Sequence, residues 1–560
     1  MAGSAMVSLS PAALLRGVGG LLTRRARRDP DVPALRTRER EMTYGALDRA
    51  VNGAARGWSR RGVKAGQVVA LRLGNRVETI VHELALARVG AAAALLDPKL
   101  SGPALQHALA VCGAVGLVGL EEDSVELGSR SYWSLPALTA EGLRISDAAV
   151  PNHWCRAETV FCYLFTSGTT GLPKAAPVRH RRFLSAGYAF QSLALRLGPG
   201  DTLFTPLPFH HASAQVIGLS SALWSGATFA FVSNFSARRY WDDARALKAT
   251  AGLYIGEICR YLLATPPRED DRQHTVHTLV GNGLQADVWT RLQARFGVAK
   301  IVEFYGATEG NAVLINRNGK PGSCGRPLFV GPFDNLRLVR YDVDSGSHPR
   351  DPRGRLIPTA PGEPGELIAR IGRVPGQRFD GYADAEATEA KILRDVLRPG
   401  DRWFRTGDLL RQDEDGDFFF VDRIGDTFRW KGENVSTDEV TAALRAVADV
   451  GDVAVYGVEI AGHEGRAGMA AVTGTPLDPV ALYAAVAELP SHARPAFIRQ
   501  RSALDRTATH KIERARLREE GFDETRCGGD ALWVRDDAQG RYVPLTPAFR
   551  ARIADGTLRL

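Results

Sequence analysis

The sequence predicts an α/β fold: a large N-terminal domain of layered α/β subdomains that includes a β-rich subdomain, followed by a small α+β C-terminal domain. Helical patterns alternate with short apolar segments from about residue 42 to residue 330. Turns rich in proline and glycine separate short strands from about 331 to 422, and strands again alternate with helices after Arg423. Such alternation is typical of layers built on a parallel sheet.

The N-terminal part has the clearest alternation. The segments QVVALRL at 67–73, AAALLD at 92–97, ATFAFVS at 227–233 and AGLYIGE at 251–257 are short apolar runs, which predict buried strands. VETIVHELALARVG at 77–90 carries an apolar stripe at helical spacing and predicts a helix. Strands separated by helices in this way favour parallel pairing.

The later segments are shorter and richer in turns. NLRLVRYDV at 335–343 predicts a strand of the β-rich subdomain, which we place at about 331–422. TDEVTAALRAV at 437–447 predicts a helix of the C-terminal unit. We therefore expect an N-terminal domain at 1–424 and a C-terminal domain at 425–560.

Composition restricts the class of protein more than its partners. The 560 residues carry a formal charge of +8, with only nine lysines among 71 basic residues. A basic excess is compatible with nucleic acid, acidic lipid or phosphorylated small molecules, and no motif supports nucleic acid. The six cysteines form no CxxC pair and stand beside no histidine cluster, which disfavours a disulfide framework or a zinc site and indicates a reducing compartment.

No segment predicts a membrane span. The apolar stretch from Leu84 to Leu96 is too short and contains Arg88, so it predicts a buried helix and strand. Residues 14–28 combine apolar positions with four arginines after them, the reverse of a secretory signal. We expect a cytoplasmic protein, with peripheral contact of 14–28 on the anionic inner face of the cell membrane as an alternative to an ordinary surface helix.

The segment YLFTSGTTGLPKAAPVRH at 163–180 is the strongest local motif. An apolar run leads into a loop of glycines and hydroxyl residues that ends in a lysine; its candidate ligands are Thr166, Ser167, Gly168, Thr169, Thr170, Gly171 and Lys174. Glycines let backbone N–H groups approach an anion, and the lysine adds a positive charge for phosphate. The spacing is not that of a Walker A loop. The length of the string disfavours a plain surface loop.

At these residues the chain resembles the adenylate-forming (ANL) superfamily, which activates carboxylates with ATP. EFYGATEGNAVLIN at 303–316 matches a second signature of that family. The resemblance implies nucleotide contacts from Tyr305, Gly306, Ala307 and Thr308, with Tyr305 stacking on adenine and Thr308 touching phosphate. It also implies that Glu309 holds Mg²⁺, in keeping with the preference of this hard cation for oxygen ligands.

Further motifs extend the resemblance towards the C-terminus. It implies that Asp408, in Thr-Gly-Asp, binds the ribose hydroxyls. Arg423 is expected to contact ribose or phosphate, with an ion pair to Asp422 as the structural alternative. The resemblance also implies that Gly283, in GNGL, lines the adenine edge and that Gly425 is the hinge of a mobile C-terminal domain.

The resemblance assigns the catalytic lysine to Lys511, in RTATHKIERARL. The expected catalytic set is Lys511, Glu309, Thr169 and Lys174. Lys431 and Gly432 belong to the segment expected on the coenzyme A side. His210 or His211, in PLPFHHASA, is expected to face the carboxylate substrate, with a packed, satisfied histidine as the alternative.

Several long strings resemble the fatty acid transport protein branch, the long- and very-long-chain acyl-CoA synthetases. The resemblance implies a fatty acid–CoA ligase that uses ATP, Mg²⁺ and coenzyme A and couples activation to uptake. Two alternatives stay open: a fatty acyl-AMP ligase that serves a carrier protein, and a fatty-acid transport or binding protein without turnover. Acyl chain length, sterol-derived acids as substrates and the oligomeric state stay open as well.

Overall fold

The computed structural model describes residues 17–120, 127–142, 155–167, 172–328, 334–343, 345–374, 376–431, 433–460, 465–506 and 512–554. The chain divides into two compact units, residues 1–335 with 370–393 and residues 336–369 with 394–560. The domain boundary predicted at residue 424 lies inside the second unit, so it stays a prediction.

The first unit contains a nine-stranded sheet that is parallel at its centre and antiparallel at both edges. Its strands, in spatial order, are Arg326–Pro327, Val313–Ile315, Lys300–Gly306, Thr278–Asn282, Ala251–Ile255, Thr202–Thr205, Thr228–Phe231, Pro33–Arg36 and Glu41–Thr43. Six consecutive strands of this order, from Lys300–Gly306 to Pro33–Arg36, pair in parallel. Most of their residues are apolar and buried, as expected for strands covered on both faces.

A second, six-stranded sheet belongs to the same unit. Its strands, in spatial order, are Ser131–Ser134, Ala114–Gly119, Val68–Leu71, Ala92–Leu95, Val160–Ser167 and Pro173–Arg179. All neighbours pair in parallel except the last two strands, which form an antiparallel hairpin. The two sheets confirm the predicted α/β class.

Helices cover these sheets. They are Gly17–Arg28, Tyr44–Arg60, Val77–Arg88, Gly102–Val111, Leu135–Gly142, His180–Phe190, Ser220–Ser225, Tyr240–Ala246, Gly256–Ala264, Ala286–Phe296 and Ala385–Glu389, with π-helices at Gln191–Leu195 and Ser213–Leu219. Local sequence sets their ends: the Thr43 hydroxyl accepts a hydrogen bond from the backbone N–H of Ala46 at 3.2 Å and caps the helix that starts at Tyr44.

The second unit is built mainly on antiparallel strands, and Arg466–Thr473 pairs in parallel with Phe497–Arg501. Leu336–Val339, Gly365–Arg370, Arg402–Gln412 and Phe418–Arg423 form one sheet, Phe428–Trp430 and Glu433–Val435 form a hairpin, and Val453–Glu459, Arg466–Thr473, Phe497–Arg501, Ala531–Asp536 and Arg541–Pro544 form a five-stranded sheet. The strand Ile392–Arg394 spans the boundary between the units. The helices are Thr437–Arg445, Pro479–Ala487, Ala515–Glu520 and Pro547–Ala554.

The N-terminal helix Gly17–Arg28 packs its apolar side inside the first unit. Val18, Leu21 and Leu22 are buried, and the helix contacts Tyr44–Arg60 and Val77–Arg88. The apolar residues of this helix are therefore part of the protein core. This is what we expected of an ordinary surface helix, as opposed to a helix whose apolar side lies on a membrane. Among the described residues, none of the helices has the length and apolar character needed to cross a bilayer.

All six cysteines lie within the described part of the chain, and each is a free, buried thiol. This agrees with the expectation that no disulfide framework is present. Burial raises the pKa of the Cys112 thiol to about 11 and that of Cys162 well above its usual value.

Candidate functional site

The strands on either side of the predicted phosphate loop form an antiparallel hairpin. Its register pairs Thr166 with Lys174, so these two residues stand opposite each other where the loop leaves the sheet. Cross-strand partners have their side chains on the same face, about 5 Å apart. Gly168, Thr169, Thr170 and Gly171 lie outside the described residues, so their contacts stay predictions.

Glu309 lies close to this hairpin through a residue that the sequence did not single out, Tyr382. The Tyr382 hydroxyl donates a hydrogen bond to Glu309 Oε1 at 2.8 Å, and the Thr166 side chain also bonds to Tyr382. The Lys174 ammonium lies 5.6 Å from the centre of the Tyr382 ring, within the range of a cation–π interaction. The first unit thus brings together the predicted residues Thr166, Lys174 and Glu309.

A partly buried cluster of charges, centred on the buried Asp380, lies beside this group. Arg179 donates to Asp380 Oδ1 at 2.9 Å, and Arg181 donates to the same oxygen. Arg182 donates to the backbone carbonyl of Ala307 at 2.8 Å, and burial lowers the pKa of its guanidinium while the carboxylates of Asp380 and Glu309 raise it. Arginine stays charged in proteins, and the bond to Ala307 places this partly buried cation at the predicted phosphate-contact segment.

The predicted adenine loop, GNGL at 281–284, is held by the side chain of Glu303. Its carboxyl group accepts hydrogen bonds from the Tyr254 hydroxyl at 2.5 Å and from the backbone N–H of Leu284 at 3.0 Å. Burial raises the pKa of Glu303 to about 8, so the group is mostly protonated at neutral pH. Gly283 has φ of +79° and lies against Gly256, where a Cβ would come within 1.8 Å of the Gly283 carbonyl oxygen. A side chain at position 256 would therefore clash, and the positive φ at Gly283 would strain one there.

Parallel pairing places the adenine loop beside the YGATE segment. Gly281 is the partner of Glu303, so Gly283 and Tyr305 both lie at the carboxyl ends of adjacent parallel strands. Ligands in open α/β sheets bind at this edge. Tyr305, Ala307 and Thr308 are half-buried and Gly306 is exposed, as a binding surface requires.

The two histidines of PLPFHHASA are neighbours in space as well as in sequence. Their ring centres are 4.3 Å apart, and His210 Nε2 lies 3.9 Å from Asp97 Oδ2. Burial lowers the pKa of His210, whereas the Asp97 carboxylate opposes that shift. Asn75 fixes the segment: it donates to the Leu207 carbonyl at 2.9 Å and accepts from the Phe209 N–H at 2.8 Å.

Asp408 and Arg423 are cross-strand partners in the second unit. Arg423 Nε lies 3.7 Å from Asp408 Oδ1, and the Arg423 side chain is about half exposed. The alternative ion partner, Asp422, instead accepts hydrogen bonds from the Thr437 backbone N–H at 2.7 Å and hydroxyl at 3.1 Å. Burial raises the pKa of Asp422 to about 7. The guanidinium of Arg423 therefore pairs with the predicted ribose ligand.

The remaining predicted residues are only partly described. Gly425 is exposed, and a Cβ built on it would have open space around it. Lys431 is exposed, with φ of +53°. Lys511 and Gly432 lie outside the described residues, so their roles stay predictions.

Tyr382, Arg182 and Glu303 are the site residues that sequence reasoning missed. None stands at a spacing that indicates function by itself. Each forms its hydrogen bond with a residue from another segment: Tyr382 with Glu309, and Arg182 with the carbonyl of Ala307. A lone tyrosine after glycine, as at 381–382, carries no such signal before the contact is known.

A family model described as AMP-binding enzyme matches residues 22–375, more than half of the chain. The chain belongs to the AMP-binding enzyme family. The medium/long-chain-fatty-acid–CoA ligase FadD6 of Mycobacterium tuberculosis is 40% identical over 554 residues, covering 96% of this chain and 91% of that protein. Human long-chain fatty acid transport protein 1 is 40% identical over 546 residues, covering 92% of this chain and 84% of that protein.

Solved structures of AMP-binding enzymes share the fold. ATP-bound MatB from Rhodopseudomonas palustris superposes with a TM-score of 0.77 at 22% identity, covering 90% of this chain and 99% of MatB. O-succinylbenzoate coenzyme A synthetase from Bacillus subtilis, in complex with ATP and magnesium ion, gives a TM-score of 0.72 at 22% identity, with 89% and 98% covered. At this identity the likeness concerns the fold alone.

Proposed function

We propose that this AMP-binding enzyme is an ATP-dependent long- or very-long-chain fatty acid–CoA ligase. The fatty acid carboxylate attacks the α-phosphate of ATP to give acyl-AMP and pyrophosphate, and the coenzyme A thiolate then displaces AMP to give acyl-CoA. The observation that carries the proposal is the convergence of Thr166, Lys174 and Glu309 around Tyr382. Relatives 40% identical, among them a fatty acid–CoA ligase, support the substrate class.

Activation is needed because a free carboxylate is a poor acyl donor. Its resonance and negative charge repel a thiolate, whereas acyl-AMP carries a good leaving group. Lys174 and the partly buried cation of Arg182 are suited to stabilise phosphate charge as pyrophosphate departs. We propose that Thr169 and its neighbours in the loop donate further hydrogen bonds.

Glu309 fits the role of magnesium ligand. A carboxylate has about four acceptor sites, so the single bond from Tyr382 leaves capacity for a cation. Mg²⁺ prefers oxygen ligands and commonly binds through one or two carboxylates together with substrate phosphates. When bound, the ion would neutralise phosphate charge; Glu309 itself would hold and orient it.

The nucleoside half of ATP is assigned to the adenine loop and the ribose pair. Gly283 offers a close backbone approach, and Tyr305 offers an aromatic face at the same sheet edge. Asp408 would accept hydrogen bonds from the two ribose hydroxyls. Arg423, 3.7 Å from Asp408, would orient that carboxylate or contact phosphate.

The C-terminal residues are assigned roles in both half-reactions in turn. Lys511 would neutralise charge on the carboxylate and α-phosphate during adenylation. A rotation about Gly425 would then withdraw Lys511 and bring Lys431 and Gly432 towards coenzyme A. The open surroundings of Gly425 support this assignment, since its present conformation does not itself require glycine.

The acid substrate is assigned to the neighbourhood of His210 and His211. The relatives named long-chain fatty acid transport proteins support long acyl chains and a coupling of activation to uptake. Very-long-chain acids belong to the same proposal. Peripheral contact with an anionic membrane would rest on the arginines of the helix Gly17–Arg28, because the apolar side of that helix is buried.

One experiment separates this function from its alternatives. Purified protein is incubated with ATP, Mg²⁺ and saturated C8–C26 acids, with and without coenzyme A, and pyrophosphate, AMP and acyl-CoA are measured. A ligase forms acyl-CoA and AMP in equal amounts. Acyl-AMP that accumulates without acyl-CoA would indicate a carrier-dependent acyl-AMP ligase. Absence of acid-dependent pyrophosphate release with every acid would contradict both.

A further inference from the structure

We propose that Tyr382 is a positioning residue for adenylation: its hydroxyl holds the Glu309 carboxylate in the orientation that binds Mg²⁺ beside the phosphate loop. The inference rests on the proposed function, because it assigns a role at the metal site of that reaction. Tyr382 lies outside the sequence motifs from which the nucleotide site was predicted above.

The contact itself has the geometry of a fixed, charge-assisted hydrogen bond. The Tyr382 hydroxyl lies 2.8 Å from Glu309 Oε1, and Glu309 is 8% exposed. The phenol is a proton donor at physiological pH, since the ordinary pKa of a tyrosine is about 10. A donor on one oxygen fixes the carboxylate plane and leaves the other acceptor sites for a cation.

The backbone around Tyr382 is bonded to both motifs of the proposed ATP site. We define residues 380–383 as the bridging segment. The Gly381 N–H donates to the Glu309 carbonyl at 3.2 Å, and the Ala383 N–H donates to the Ala175 carbonyl, next to Lys174, at 2.8 Å. The Tyr382 N–H donates to the Thr388 hydroxyl at 2.9 Å. The segment therefore joins the YGATE strand end to the phosphate-loop hairpin.

The bridging segment is also held independently of the tyrosine hydroxyl. Asp380 binds the guanidinium groups of Arg179 and Arg181, which lie at the end of the hairpin and in the following helix. Gly381 has φ of +67° and would place a Cβ 2.5 Å from Thr388, so glycine allows this close turn. Removal of the hydroxyl alone should leave the segment in place.

The ring of Tyr382 has a second contact that the hydroxyl does not provide. Lys174 Nζ lies 5.6 Å from the ring centre. Phenylalanine retains this aromatic face and loses only the donor to Glu309 and the bond to Thr166. Tyr382→Phe is therefore a selective test of the carboxylate orientation.

The test measures fatty-acid-dependent ATP–pyrophosphate exchange as a function of Mg²⁺ concentration, with palmitate as the acid, and, without turnover, the binding of Mn²⁺ to the complex of protein and ATP by electron paramagnetic resonance, which Tyr382→Phe should weaken to a similar extent. We expect Tyr382→Phe to raise the half-saturating Mg²⁺ concentration about tenfold, the size of effect typical when a partner of a metal ligand is removed. The rate at saturating Mg²⁺ should change much less. An unchanged Mg²⁺ dependence would overturn the inference, as would an equal change in the KM for palmitate.

Two further variants separate positioning from folding. Tyr44→Phe removes another buried hydroxyl, which donates to the carbonyls of Ala222 and Ala227 at 3.0 and 2.8 Å; it should lower the melting temperature without changing the Mg²⁺ dependence. In a Glu309→Asp background, whose carboxylate is one methylene shorter, Tyr382→Phe should have a smaller effect. Equal effects in the two backgrounds would contradict the proposal.

The wild-type protein distinguishes failure of this inference from failure of the proposed function. If the wild type shows no acid-dependent exchange, the proposed function is wrong. If the wild type exchanges and Tyr382→Phe keeps the same Mg²⁺ dependence, only the role of Tyr382 is wrong.

Discussion

At the scale of single residues, two buried glutamates of one motif have different hydrogen-bond partners and different proposed tasks. Glu303 accepts bonds from Tyr254 and the Leu284 N–H, and burial raises its pKa to about 8. It therefore holds the adenine loop without placing a full negative charge there at pH 7. Glu309, six residues later, accepts a hydrogen bond from Tyr382 near Lys174 and Arg182, which suits the proposed magnesium ligand.

A residue-scale prediction concerns Lys511. Lys511→Ala should lower acyl-AMP formation about 100-fold, the effect of losing one preorganised charge, roughly 3 kcal/mol. Thioester formation from supplied acyl-AMP should be retained. The two half-reactions are measured by pyrophosphate release and by acyl-CoA formation.

Lys64→Ala is the matched control, since Lys64 is an exposed lysine outside the motifs. It should leave both half-reactions unchanged. An equal loss of both half-reactions in Lys511→Ala would contradict the adenylation role.

At the scale of elements, the helix Val77–Arg88 places a carboxyl group fully inside the protein. Glu83 has no exposed surface, and burial raises its pKa to about 8. The unfolded chain releases this proton near its usual pKa of 4.5, whereas the folded chain retains it. Its contribution to the free energy of unfolding therefore declines as pH rises from about 4.5 to about 8.

Glu83→Gln should remove this pH dependence. The melting temperature of the variant minus that of the wild type should increase by several degrees from pH 5.5 to pH 8, because glutamine does not ionise. Thermal melts at pH 5.5, 7 and 8 check the result. Parallel pH profiles for the two proteins would show that Glu83 does not titrate in this way.

The proposed hinge is also a property of one short element. Gly425→Pro should slow thioester formation more than adenylation, because proline fixes φ near −65° in a segment that has to change conformation. Gly425→Ala is the matched control: a Cβ there has open space, so the variant should fold and turn over normally. Unchanged thioesterification in Gly425→Pro would remove the argument for a hinge.

At the scale of the whole molecule, the C-terminal part has a core of its own. One hydrophobic cluster contains buried residues from Phe428 to Ile553 and packs around the five-stranded sheet. The adjoining strand contributes Asp422, whose carboxylate accepts two bonds from Thr437 at the start of the next helix. The core is therefore local in sequence, although the compact unit that contains it also includes residues 336–369.

A fragment of residues 425–560 should fold without the rest of the chain. A matched fragment of 418–560 retains Asp422 and should melt several degrees higher, because it keeps the bonds to Thr437. Dispersed amide NMR spectra and cooperative melts check both fragments. A shorter fragment that lacks a cooperative transition would contradict a domain boundary near residue 424.

The sequence was sufficient where partners are close in the chain. Thr166 and Lys174 could be predicted because they flank one short loop, across which a hairpin pairs them. The strands Val68–Leu71 and Ala92–Leu95 could be predicted because buried parallel strands are continuous apolar runs. The role of Tyr382 could not be predicted, because its partner Glu309 is 73 residues away and no sequence motif relates two residues at that separation. The split of the chain into units depends likewise on long-range packing.

The burial of all six thiols has a chemical consequence for a protein proposed to handle coenzyme A. Its surface offers no accessible thiolate to coenzyme A disulfide, glutathione disulfide or peroxide, and burial further raises the pKa of thiols such as Cys112 and Cys162. Mixed disulfides with its own thiol substrate should therefore not form in the folded state. Oxidants that modify exposed thiols of other proteins should therefore leave the ligase activity of the folded protein unchanged.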